Sequence, residues 1–147
     1  MTMTTEFTFD LQPDDFETIR SGIRAYNLQH LPSGEVTRIG CFVRDEEGKM
    51  VGGLTGNLFA NTVFVEFLWL DENHRKGGLG TQLMQRLEAE VKPKGITDLY
   101  LDTFSFQALG FYLKLGFEKV GEYRGFPAEG ISKYFLQKRI QPEYGNG

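Results

Sequence analysis

The chain has 147 residues, 40% of them hydrophobic and 24% charged, with a formal net charge of -4. That length suits one compact domain, here residues 1–147, which buries roughly two-thirds of its unfolded surface and needs no disulfide or metal to fold. The acidic balance argues against a nucleic-acid binder, which carries a basic face, and suits encounter with a cationic small molecule.

In chain order, Met1-Thr-Met-Thr-Thr-Glu6 lacks the basic segment and apolar run of a signal peptide. No apolar stretch is long enough to cross a bilayer, so a cytoplasmic protein with no membrane partner is expected. Glu6 to Leu11 reads as a first strand. Pro13-Asp14-Asp15 opens a helix whose Phe16, Ile19, Ile23 and Tyr26 recur at helical spacing, which predicts a buried face. Leu31-Pro32-Ser33-Gly34 closes that region. Strands follow over Val36–Arg44, with the single cysteine Cys41 in its core, and over Met50–Phe59, joined by the polar turn Asp45–Lys49. Val63 to Leu70 is almost continuously apolar, as in a central strand covered on both faces.

A glycine-rich stretch, Asp71 to Gly80, leads into a helix carrying Leu79, Leu83, Leu87 and Val91 on one stripe, closed by Pro93 and Gly95. Strand Ile96–Phe104, a short helix Phe106–Leu115 ending at Gly116, and strands Phe117–Arg124 and Ile131–Arg139 complete the order. The tail, residues 141–147, is expected to be frayed. Strand, helix, three strands, helix, strand, helix, two strands is a mixed α/β sheet with helices packed on it.

The chemistry concentrates where a strand meets a helix. Gly77, Gly78 and Gly80 let main chain approach a ligand, and the first amides of a helix have no intrahelical partner. With the helix dipole they make an anion site suited to a pyrophosphate, and Arg75 and Lys76 add charge. The same glycines also suit a plain tight turn with solvated cations. The spacing provides neither the nucleotide P-loop nor the dinucleotide fingerprint.

Arg75-Lys76-Gly77-Gly78-Leu79-Gly80 nevertheless resembles the phosphate loop of the GNAT acetyltransferase superfamily, which reads Arg/Gln-x-x-Gly-x-Gly/Ala after a strand. Ala108-Leu109-Gly110-Phe111-Tyr112-Leu113-Lys114-Leu115-Gly116-Phe117 resembles its second signature, an Ala four residues before a Tyr and then a Gly-aromatic pair. The stretch Leu101 to Ala108 is similar to a small bacterial subgroup of mostly unassigned substrate.

The resemblance implies a central mixed, mostly antiparallel twisted sheet with helices on both faces, splayed between its fourth and fifth strands. It implies acetyl-coenzyme A (acetyl-CoA) as cosubstrate, no metal, and a small-molecule amine as acceptor, attacking directly in a ternary complex. The pantetheine arm would lie along Leu68, Trp69 and Leu70. The pyrophosphate would rest on amides from Lys76 to Thr81, through Gly77, Gly78, Leu79 and Gly80, with Arg75 and Lys114 nearby. Ser105 stands where the superfamily often has a cofactor-contacting Asn. A homodimer is a family-based expectation.

Tyr112 matches the family's general acid for the departing thiolate, the alternative being a packing residue with a satisfied hydroxyl. Glu66, a lone charge in an apolar strand with Phe64 and Leu68 on its face, is the candidate base. Its alternatives are an ion pair with Arg38 or Arg44, or a water relay that makes it dispensable. His30 and His74 lack metal-ligand spacing. Asp102 and Glu118 are candidates for the acceptor end without an assigned place, and Tyr123, Arg124, Phe126 and Tyr134 either wall an acceptor pocket or simply pack. Two other functions fit the same residues: a protein lysine or N-terminal acetyltransferase, and a CoA-binding regulatory module without turnover.

Overall fold

A computed structural model of the chain describes residues 1–31 and 34–141. These form two compact units, Met1–Gly34 and Glu35–Gly147, each taken by itself. Pro32 and Ser33, and residues 142–147 of the expected frayed tail, lie outside the described residues.

The first unit holds one helix, α1 (Pro13–Leu28), with proline in its first turn and Asp14 and Asp15 beside its positive end. Phe16, Ile19, Ile23 and Tyr26 form the expected stripe, but each is at least half exposed rather than buried. Among the described residues of this unit there is no second element to cover them. The expected strand over residues 6–11 is not formed either. A lone extended segment has no ladder partner inside this unit, and an unpaired strand is not stable in water. Phe7 and Phe9 instead pack edge to face at 4.9 Å.

The second unit is a six-stranded sheet in the order β1-β2-β3-β4-β6-β5. Its strands are β1 (Val36–Arg44), β2 (Met50–Phe59), β3 (Thr62–Leu70), β4 (Asp98–Phe104), β5 (Glu118–Arg124) and β6 (Ser132–Arg139). All neighbours are antiparallel except β3 and β4. That parallel pair is linked by α2 (Leu79–Val91), the crossover a parallel connection requires. The β1–β2 turn is tied by Asp45, whose carboxylate accepts the N–H groups of Glu47 and Lys49 at 2.9 Å each. Leu83, Met84, Leu87 and Val91 of α2 are buried with Val63, Val65, Leu99, Leu101 and Leu136 of the sheet. Each such side chain contributes roughly 1.5–3 kcal/mol of burial.

The last helix, α3 (Leu109–Lys114), begins later than its sequence pattern predicts. Residues 105–107 form a turn instead, because the Gln107 side-chain oxygen accepts the Phe104 N–H at 2.7 Å and the Thr103 hydroxyl at 3.2 Å. This bonding closes the end of β4 before a helix can start.

Candidate active site

β3 and β4 pair only over Thr62–Asp98, Val63–Leu99 and Phe64–Tyr100. β3 then runs on to Leu70 and β4 to Phe104 without pairing each other. These are the strands expected as fourth and fifth, renumbered because the first is not formed, and the splay lies where it was expected. A bulge lies at its start. Gly56 of β2 faces Val65, Thr55 faces Phe67, and Glu66 is the extra residue between them. The bulge reverses the alternation beyond it, so Leu68 and Leu70 join the core with Val63 and Val65. This corrects the strand-period expectation that Leu68 shares a face with Glu66. Phe67 and Trp69 are exposed rather than covered.

Two cavities occupy the splayed end. The first, of about 540 Å³, is floored by Leu68 and Leu70, edged by Arg75, Lys76, Gly78, Gly80 and Thr81, and closed by Ala108, Phe111 and Tyr112. The second, of about 420 Å³, is lined by Glu66 and Trp69 of β3, by Asp102, Thr103 and Phe104 of β4, and by Gln107. Leu68, Ala108 and Tyr112 line both and so form their common wall.

The loop before α2 is shaped for an anion. Gly78 precedes the helix in the left-handed conformation, φ +84°, and a Cβ there would meet only open space. No side chain caps the helix start, and no acidic residue lies in its first turn. The amides of Leu79, Gly80 and Thr81 therefore keep their donors and the dipole keeps its positive end. α1, by contrast, supplies its own acids. Lys76 also takes a positive φ, +66°. Arg75 donates from Nε to the Leu70 carbonyl at 3.0 Å, tying the loop to the end of β3.

Tyr112 is 8% exposed, and its hydroxyl makes no hydrogen bond among the described residues. Burial pushes its pKa up to about 12. Glu66 forms no ion pair among the described residues. Arg44, one partner suggested by the sequence, instead donates to the Gly48 carbonyl at 3.3 Å and lies over the Phe42 ring.

Most of the expected site residues are therefore brought together. Trp69 falls in the second cavity, while Gly77 and Leu79 complete the loop without lining either one. Ser105 and Lys114 line neither. The Ser105 hydroxyl accepts the Ser132 N–H at 3.0 Å, so it stitches β4 to β6. Lys114 is exposed in the last turn of α3. Sequence reasoning missed Gln107 and could not place Asp102. A polar amide just past a strand end was the available signal for the first; nothing local signalled the second. The groups suited to metal binding are absent among the described residues.

A parallel junction that parts after three paired positions, beside an uncapped glycine-rich helix start, defines an α/β protein with a ligand-sized cleft between splayed strands. The model of the acetyltransferase (GNAT) family matches residues 5–117, and the chain belongs to that family. It is 29% identical over 124 residues to Acetyltransferase Atu2258 of Agrobacterium fabrum, covering 84% of this chain and 90% of that one. It is 33% identical over 96 residues to Blasticidin-S acetyltransferase of Streptomyces morookaense, covering 65% and 70%. A crystal structure of an acetyltransferase from Bacillus cereus is 33% identical, covers 92% of this chain and 98% of its own, and superposes with a TM-score of 0.84. The chain is an acetyltransferase with this fold.

Proposed function

We propose that the protein transfers an acetyl group from acetyl-CoA to a primary amine of a small molecule, by direct attack within a ternary complex. The observation that carries this reading is the common wall: Tyr112 stands between a cavity edged by the glycine loop and a cavity containing Glu66. The loop fits a pyrophosphate, since open space at Gly78, uncapped amides and two cations converge there. Acetyl-CoA would supply the acetyl group as a reactive thioester. The backbone of Leu68 to Leu70, without a β4 partner, offers donors and acceptors to an amide-rich arm.

Each remaining task has a residue. A backbone N–H near Leu70 stabilises the developing oxyanion, a contribution of about 3 kcal/mol for one good donor. Holding amine and thioester together in adjoining cavities lowers the barrier further. Tyr112 keeps its proton at every assay pH and delivers it from the hydroxyl to the leaving sulfur. Glu66, bulged from the ladder and without an ion-pair partner, takes the proton of the incoming ammonium directly or through water. The relative that acetylates blasticidin S by name, and the two carboxylates of the second cavity, favour a small cationic acceptor.

The same reading treats residues 1–147 as one cytoplasmic acetyltransferase domain. The family match crosses from the first unit into the second, and among the described residues no helix is long and apolar enough to cross a membrane. The test is thiol release from acetyl-CoA over a panel containing blasticidin S, spermidine and a lysine peptide. Release that depends on a small amine is expected. Release with the peptide alone would make the chain a protein acetyltransferase, and CoA binding without any release would make it a regulatory module.

A further inference from the structure

The second cavity carries a feature that the transfer chemistry leaves unused. Asp102 and Phe104 alternate on β4 and so share a face. The β4–β6 register sets Phe135 opposite Asp102 and Lys133 opposite Phe104, which brings all four to that face. The Lys133 ammonium lies 3.5 Å from the Asp102 carboxylate and 5.8, 5.6 and 5.9 Å from the rings of Phe104, Phe126 and Phe135. One carboxylate ringed by aromatic faces is how proteins bind organic cations. Here the chain's own ammonium occupies the place.

The occupancy is loose. At the paired end of the same strand, Asp98 accepts bonds of 2.7 Å from Thr97 and 2.8 Å from Gln137. Among the described residues Asp102 has only the 3.5 Å contact, and both partners are about a quarter exposed. Lysine is a strongly hydrated charge on a flexible stem, so release into water costs little. Asp102 and Phe104 line the cavity, and Glu66 lines it from β3.

Building on the acetyl-transfer reading, we propose that Asp102 and Phe104 form a subsite for a second positive group on the acceptor, held by Lys133 until that group replaces it. The acceptor class is then a primary amine that also bears an ammonium or guanidinium. Glu66 serves the reacting amine and Asp102 the group that stays charged.

Calorimetric titration of agmatine (an amine with a guanidinium) and of hexylamine into the CoA-saturated protein reads the subsite without turnover. Lys133→Met is expected to raise the agmatine-to-hexylamine affinity ratio about tenfold, and Asp102→Asn to lower it about tenfold, as for a charge pair gained or lost. General damage to the fold would move both variants the same way, so opposite shifts are diagnostic. Unchanged ratios in both variants, or a fall in Lys133→Met, would overturn the subsite. Opposite shifts without acetylation of any amine would remove the catalytic reading and leave the subsite. Hexylamine acetylation with flat ratios would do the reverse.

Discussion

The cavity on the α2 side of Tyr112 and the cavity on its other side present groups of opposite charge by different means. The first presents main-chain amides, glycine and two cations, drawn from residues 75–81 with Leu68 and Leu70 beneath. The second presents side chains, among them Glu66, Asp102, Thr103 and Gln107, from three separate elements. Main-chain recognition suits a ligand that never changes. It needs only a glycine where the backbone turns and the absence of a competing acid. Side-chain recognition suits a ligand that varies among relatives, since each wall residue can be replaced without altering the helix start.

The largest expected effect breaks the first cavity alone. Gly78→Glu places bulk and negative charge where the amides await an anion, and CoA affinity measured by calorimetry should fall at least about a hundredfold. The left-handed φ adds strain of about 1 kcal/mol, which the fold tolerates, as circular dichroism should confirm. CoA binding close to wild type in a folded variant would refute the phosphate loop.

Next comes the wall. Tyr112→Phe should lower kcat at least about tenfold while CoA affinity changes little, the signature of a proton donor rather than a binding group. The pH profile sharpens this. A phenol raised to about 12 donates at any ordinary pH, so no alkaline loss of kcat below about pH 10 should trace to Tyr112. Its effect on stability has a defined sign. The unfolded phenol ionises near 10 and the folded one near 12, so stability is intact below pH 10 and falls as pH rises between those values. Chemical denaturation of Tyr112→Phe should show a smaller decline, the remainder including Tyr100, whose phenol burial also raises.

A smaller effect tests the second cavity. Glu66→Gln should reduce kcat/KM about tenfold while CoA affinity changes little. An unaltered kcat/KM would assign the base to water. The smallest effect separates Ser105 from both cavities. Removing the hydroxyl that accepts from Ser132 should cost about 1 kcal/mol of stability. CoA affinity in Ser105→Ala should stay put, and a clear loss would restore the cofactor contact expected from the family pattern.

The difference between the cavities also sets what could be read early. The loop Arg75 to Gly80 is contiguous, and its left-handed glycine and uncapped helix start follow from local conformation, so its shape was legible residue by residue. The Ala108–Phe117 signature carried Tyr112 in the same way. Glu66 was noticed as a charge among apolar neighbours, but its face was misassigned, because a bulge arises between two strands and leaves no mark in one. The first strand and the buried face of α1 were over-read: alternation and helical spacing show which residues prefer burial, not what covers them. Helix propensity spans Gln107, but it does not reveal that the side-chain oxygen is needed at the end of β4.

By itself, the sequence determined the uncapped glycine-rich helix start, the order of the elements from Val36 onward and the place of Tyr112 in the last helix. All three depend on neighbours within a few residues, where backbone geometry and periodicity act directly. Only the tertiary structure decided the extent of the splay, the bulge at Glu66 and the meeting of Asp102 with Lys133. Those depend on register between strands distant along the chain, and a shift of one residue there would turn every side chain involved to the other face.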